Sequence, residues 1–180
     1  QDPVVTWPSD VTVNVDSGCT ATNVDLGTPI ATDNCDAPAA INYTKSPSST
    51  DFEVGVTNVY WEARDTRGNY VYHTQTVTVT DNIDPVIDCP ATTYYREYRN
   101  IYTNYYSVIG SEFTPSVSDN CEITSYTNDL TGSGYINGFQ LTLGNNPITW
   151  TAVDGNPGTP NETTCVVNVT VVDSFVPIID

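Results

Sequence analysis

Val59-Tyr60-Trp61-Glu62-Ala63-Arg64-Asp65 places Val59, Trp61 and Ala63 on one face, the period-two alternation of a half-buried strand. Asp65-Thr66-Arg67-Gly68-Asn69 follows it, and Gly68 supplies the left-handed residue that a short hairpin needs. The chain then returns through Tyr70 to Asp81, where Val77-Thr78-Val79 alternates again. The same sequence of events recurs as Ile148-Thr149-Trp150-Thr151-Ala152-Val153-Asp154 and then Val167-Asn168-Val169-Thr170-Val171. One hairpin therefore occurs twice.

Working outward, further blocks match in the same order. Asp2-Pro3-Val4-Val5-Thr6-Trp7-Pro8 reads against Asp84-Pro85-Val86-Ile87-Asp88-Cys89-Pro90, and Thr32-Asp33-Asn34-Cys35-Asp36 against Ser118-Asp119-Asn120-Cys121-Glu122. Such self-similarity marks tandem domains. The expected division is 1–82 and 83–174, with Val176-Pro177-Ile178-Ile179-Asp180 opening a third module over 175–180. Roughly seven short strands per copy, separated by turn signals, give an all-β fold of two tandem immunoglobulin-like β-sandwiches.

Composition narrows the functions. Five Lys and Arg against 22 Asp and Glu give a net charge of −17, which argues against a nucleic-acid partner because phosphate contacts need clustered basic residues. No stretch approaches the ~20 apolar residues of a membrane span, so the chain is expected not to be membrane-embedded. No basic-plus-apolar leader opens it, so a mature or excised segment is expected. Scattered cysteines without a C-x-x-C pair suit disulfides in an oxidising compartment, outside the cell or at its surface.

These blocks resemble the hyalin repeat (HYR) family of immunoglobulin-like extracellular modules. In the first copy the resemblance rests on Thr32-Asp33-Asn34-Cys35, on Phe52, Gly55 and Val59, on Ala63, Asp65, Gly68 and Asn69, and on Val77, Val79 and Asp81. In the second it rests on Cys89-Pro90, Asp119-Asn120-Cys121, Ala152-Val153-Asp154, Cys165, Val169, Val171 and Asp173. The second copy departs at Asp154-Gly155-Asn156-Pro157, where the turn is rebuilt. The resemblance implies an adhesion-associated array without catalytic activity. Its acidic character is similar to bacterial surface adhesins, including the gliding adhesins of Bacteroidetes.

The repeat register also suggests cysteine pairs. Cys89 aligns with Trp7 and Cys165 with His73, so the first copy lacks both together, and a Cys89–Cys165 bond is expected with Trp7 and His73 packed at the equivalent place. Cys19 and Cys35 would then pair. Cys121 is left over as a free thiol, or bonded to another chain.

Acidic loops gather at the start of the second copy: Asp81 and Asp84 in the linker, Asp119, Asn120 and Glu122 in one loop, Asp154 and Asn156 in another. Calcium takes about six to eight oxygen ligands from such groups. Equally, Asp and Asn build turns without any metal. Both readings stand.

The segment from Tyr94 to Tyr106 holds six of the 12 tyrosines. Tyr94, Tyr95, Arg96, Tyr98, Arg99 and Tyr102 could form a contact surface for a glycan or protein ligand. Tyrosine is also a good strand former, so sheet packing explains them too. Asn42, Asn161 and Asn168 each begin an Asn-x-Thr triplet. His73 is the one histidine, so a catalytic triad would depend on it alone. The expected role is a stalk or spacer of a surface adhesin or filament, partnered by neighbouring modules and by copies of itself in a filament. The alternatives are a ligand-binding module using the tyrosine segment and an accessory domain of a secreted enzyme.

Overall fold

The computed structural model describes residues 1–91, 93–97, 104–156 and 159–174. Contacts divide them into two units, one built on Gln1–Asn82 and the other on Ile83–Gly155 with the residues from Thr159; Asn156 groups with the first. The third-module start expected over 175–180 lies outside the described residues.

The first unit runs β1 (Val4–Thr6), β2 (Val11–Asn14), β3 (Thr20–Ala21), β4 (Ile30–Thr32), β5 (Asn42–Ser46), β6 (Phe52–Glu53), β7 (Gly55–Arg64) and β8 (Tyr70–Thr80), with a 3-10 turn at Pro38–Ala40. Its main sheet has the order β2-β8-β7-β5, and β1–β4 and β3–β6 form separate pairs. Ala21 and Phe52 of the short pairs meet Val59, Trp61, Val77 and Val79 of the main sheet in one core, which makes a sandwich. Ala31, Ile41 and Ala63 form a smaller cluster with Val5 and Trp7 against it.

The second unit repeats this plan with β9 (Val86–Asp88), β10 (Thr93–Glu97), β11 (Tyr105–Ser107), β12 (Ser116–Ser118), β13 (Ile123–Asn128), β14 (Gln140–Thr142), β15 (Gly144–Asp154) and β16 (Glu162–Val172). Its main sheet, β10-β16-β15-β13, corresponds strand for strand, as do the β9–β12 and β11–β14 pairs. Phe113, Ile136, Leu141, Ile148 and Trp150 fill its core.

In both units the opening strand is broken, and its halves pair differently. β1 is antiparallel to β4, whereas β2 runs parallel to β8; β9 and β10 do the same with β12 and β16. Pro8 and Pro90 fall in the breaks, where a residue without N–H costs no ladder bond. This arrangement puts Trp7 beside His73, with stacked rings 5.3 Å apart. At the corresponding place Cys89 and Cys165 form a disulfide that ties the opening strand to the last.

The other cysteines correct the expected pairing. Cys35 carries a free, exposed thiol, while Cys19 and Cys121 are each disulfide-bonded, so there is no Cys19–Cys35 loop and Cys121 is not a free thiol. The reason is the length of β7. The Cys19 carbonyl accepts from Val54 just before that strand, and Cys35 Sγ meets the Arg67 guanidinium just after it. Ten strand residues at ~3.3 Å each separate the two ends by about 30 Å. A disulfide tolerates at most ~7 Å between Cα atoms.

Candidate functional site

The acidic end of the first unit is built on two loops. Asp33 Oδ1 accepts from the Cys35 and Asp36 backbone at 2.9 and 3.0 Å, closing a tight turn. Asp36 accepts from the Thr66 backbone and hydroxyl, which ties that turn to the hairpin after β7. Asp65, 6 % exposed, accepts from Arg67 and Asn69 backbone N–H groups and from the Asn69 side chain. Oxygens of Asp33, Asp36 and Asp65 lie within 4.8 Å of one another. The Cys35 and then the Asp36 N–H hold the Asp33 carboxyl below its ordinary pKa, and the Asn69 side chain does the same, most strongly, for Asp65.

These are the counterparts of Asp119, Glu122 and Asp154. Asp119 Oδ2 accepts from the Cys121 N–H at 2.8 Å. Asp154 accepts from the Asn161 backbone at 2.9 Å and its side chain at 2.7 Å, although six residues intervene where Asp65 and Asn69 have three between them. The Asn120 amide reaches Cys121 Sγ; Asp81 and Asn156 are buried, and Asp84 and Glu122 are exposed. Turn-building thus accounts for most of the carboxylate contacts. Among the described residues one carboxylate oxygen in each copy is left over: Asp33 Oδ2 and Asp119 Oδ1 are buried without a hydrogen-bond partner.

The tyrosine segment of the second unit is drawn inward where it is described. The Tyr94 ring meets Phe113 edge-on at 5.1 Å, and Arg96 lies over both rings while pairing with Glu112 at 3.2 Å. Glu112 also receives the buried Tyr106 hydroxyl at 2.7 Å; burial first, and then this carboxylate, raises the phenol's pKa. Only Tyr95 of the described contact candidates is open, at 71 % exposure. Tyr98, Arg99 and Tyr102 lie outside the described residues.

An exposed aromatic group stands in the first unit instead. On the outer face of its main sheet, Tyr60, Tyr70 and Tyr72 are 58, 46 and 65 % exposed. Tyr70 and Tyr72 touch at 5.1 Å, Arg64 lies over the Tyr70 ring, and Glu62 holds Arg64 at 2.8 Å. That hydrogen bond raises the Arg64 pKa. The corresponding positions of the second unit are Thr149, Thr151, Val153, Glu162, Thr164 and Val166, with no aromatic among them. The signal was in the alternation: with Val59, Trp61 and Ala63 inward, Tyr60 must face out.

Residues 1–80 match the HYR domain. Hyalin of Strongylocentrotus purpuratus is 31 % identical over 183 residues, covering 98 % of this chain and 14 % of that protein. Hyalin of Lytechinus variegatus is 32 % identical over 180 residues, covering 98 % of this chain and 32 % of its own length. The chain therefore spans less than a third of either relative. Both are sea-urchin proteins, which does not support the bacterial gliding-adhesin source expected from the acidic composition. Among solved structures, Drosophila N-cadherin EC1-4 is 17 % identical with a TM-score of 0.42, covering 96 % of this chain and 50 % of that one. Protocadherin gammaB7 EC3-6 is 15 % identical, also with a TM-score of 0.42, covering 96 % and 48 %. Among the described residues no helix is long and apolar enough to cross a membrane. The HYR match and the disulfides place the chain in an oxidising, extracellular setting. The HYR match over the first copy and the hyalin alignments along nearly the whole length together support the HYR family for this chain.

Proposed function

We propose that the chain is a non-catalytic stalk segment of an extracellular adhesion protein, holding its neighbours at a distance and bearing tension between them. One observation carries this reading: in each unit the opening strand lies parallel to the last. β2 pairs with β8 from Val11↔Val77 to Asn14↔Thr80, and β10 pairs with β16 from Thr93↔Asn168 to Glu97↔Val172. Pulling the two ends of a unit then loads its ladder bonds along the strands, so that several must break together. His73, the one histidine, stacks on Trp7. Calcium at the acidic end of each unit belongs to the same proposal, supported by the unpartnered Asp33 Oδ2 and Asp119 Oδ1.

The test is single-molecule stretching of the chain by its ends, with and without reductant. Because Cys19 is also disulfide-bonded, the force of the first unit is read with reductant present, where a high unfolding force is expected. The second unit should release the length between Cys89 and Cys165 only after reduction. Unfolding of the first unit at the low force of strands unzipping one bond at a time would overturn the reading. Repeating the measurement in calcium and in chelator tests the cation: unchanged forces would remove it.

A further inference from the structure

We propose that Asn42 carries an N-linked glycan whose first sugars lie on the tyrosine face of the same sheet. Three Asn-x-Thr triplets are present, and the structure treats them differently. The Asn161 side chain donates to Asp154 at 2.7 Å and to the Ile83 carbonyl at 3.2 Å, so it serves the turn it sits in. Asn168 is partly buried in β16, which runs between β10 and β15 in the sheet. Asn42 begins β5, the edge strand of its sheet, and both Asn42 and Thr44 are exposed while Tyr43 between them turns toward the core.

The register then says what surrounds Asn42. It stands opposite Arg64, which stands opposite Tyr70; Thr44, Glu62 and Tyr72 form the next row, and Ser46, Tyr60 and Thr74 the third. Residues directly opposite share a face of the sheet. With strands ~4.8 Å apart, Tyr70 lies about 10 Å from Asn42, within reach of the sugars nearest the attachment. The face is suited to pyranose rings. Tyrosine offers a flat apolar surface to sugar C–H groups and a hydroxyl at its rim, and Arg64 and Glu62 offer a donor and an acceptor. Clustered exposed aromatics on a soluble domain call for a partner. A glycan anchored at the end of the first row supplies one, and the second unit, which has no such triplet at the position of Asn42, has no tyrosines there either.

The modification is a redox-neutral transfer on the extended chain during secretion. The Asn42 side-chain nitrogen attacks the anomeric carbon of an oligosaccharide carried on a lipid diphosphate. A carbon–nitrogen bond forms as the bond from that carbon to the diphosphate oxygen breaks. The lipid diphosphate leaves with the electron pair, and the amide gives up one proton.

The experiment is secretion of the whole chain from a eukaryotic cell line, followed by mass mapping of the three triplets. Asn42 should be occupied, and N42Q and T44A should each lose one glycan while N161Q and N168Q keep it. An unmodified Asn42 in the secreted protein would overturn the assignment, as would an undiminished glycan at this site in T44A. Placement on the face is read from tyrosine ring resonances when the glycan is trimmed to its single attached sugar. Signals of Tyr70 and Tyr72 should move while that of Tyr135 in the other unit stays; stationary Tyr70 and Tyr72 signals would overturn the packing. None of these outcomes depends on whether the chain bears load.

Discussion

Trp61 and Trp150 occupy the same place in two copies of one sandwich, and their surroundings are secured by different means. Trp61 donates through Nε1 to Gln75 at 2.9 Å, and the fully buried Gln75 amide donates on to the Ser9 and Leu26 carbonyls at 2.6 and 3.0 Å. One side chain thus joins two strands of the main sheet to the broken opening strand and to a loop. In the second unit the position of Gln75 is Val167, and the buried Trp150 Nε1 has no partner. Its ring stacks on Tyr126 at 5.0 Å, whose phenol burial pushes up to about 12. The opening strand is held by Cys89–Cys165 instead. The comparison teaches that a sandwich needs its first strand tethered to its last. A buried amide with all its bonds made, or a covalent bridge over an apolar core, meets that need.

The largest way to break this comparison is to remove the bridge. Cys89→Ser with Cys165→Ser opens a loop of 76 residues in sequence separation, and the chain-entropy account gives a loss of about 4 kcal/mol. Amide exchange across β15 and β16 should speed up accordingly, while β7 and β8 keep their protection. Equal loosening of both units would mean that the bridge does not act on its own unit.

Making the first unit resemble the second is the next step. Gln75→Val leaves the Trp61 donor and two carbonyls without that partner, which costs about 3 kcal/mol at roughly 1 kcal/mol per bond. Denaturant unfolding followed by amide exchange in β7 and β8 measures it. No loss would mean that the amide network adds nothing beyond packing.

The smallest effect sharpens the contrast most directly. Trp61→Phe strands the Gln75 oxygen, whereas Trp150→Phe deletes a donor that was already unpaired. The first should cost about 1–2 kcal/mol more than the second, with similar loss of apolar contact in each. Equal costs would show that the orphaned indole of Trp150 is satisfied in solution.

Much of this architecture could be read from the alternation. Val59, Trp61 and Ala63, with Val77 and Val79, show the inward face directly, because a strand with one wet side must alternate. Gln75 lies in phase with Val77 and Val79, so its burial was legible in principle, yet a glutamine in a Thr-rich run looks like a surface residue. The aligned positions of Cys89 and Cys165 carried their pairing because two substitutions occur together. Cys19 and Cys35 carried no such signal; whether two cysteines can meet depends on distances that only the folded strand lengths set. The tyrosines make a related point. A count singles out Tyr94–Tyr106, whereas exposure depends on which neighbour covers a ring: Phe113, Arg96 and Glu112 lie against Tyr94 and Tyr106, and Arg64 and Tyr72 against Tyr70.

The clamp formed by Asp65 and Asn69 is reproduced by Asp154 and Asn161, with the same three hydrogen bonds between the two residues in each case. What lies between them differs in length and composition, yet the long hairpin below keeps its register in both copies. Evolution can therefore lengthen or rewrite this loop without renegotiating the sheet. A designer wishing to graft an epitope or a binding peptide onto such a sandwich would do well to start there, leaving the aspartate and the asparagine in place.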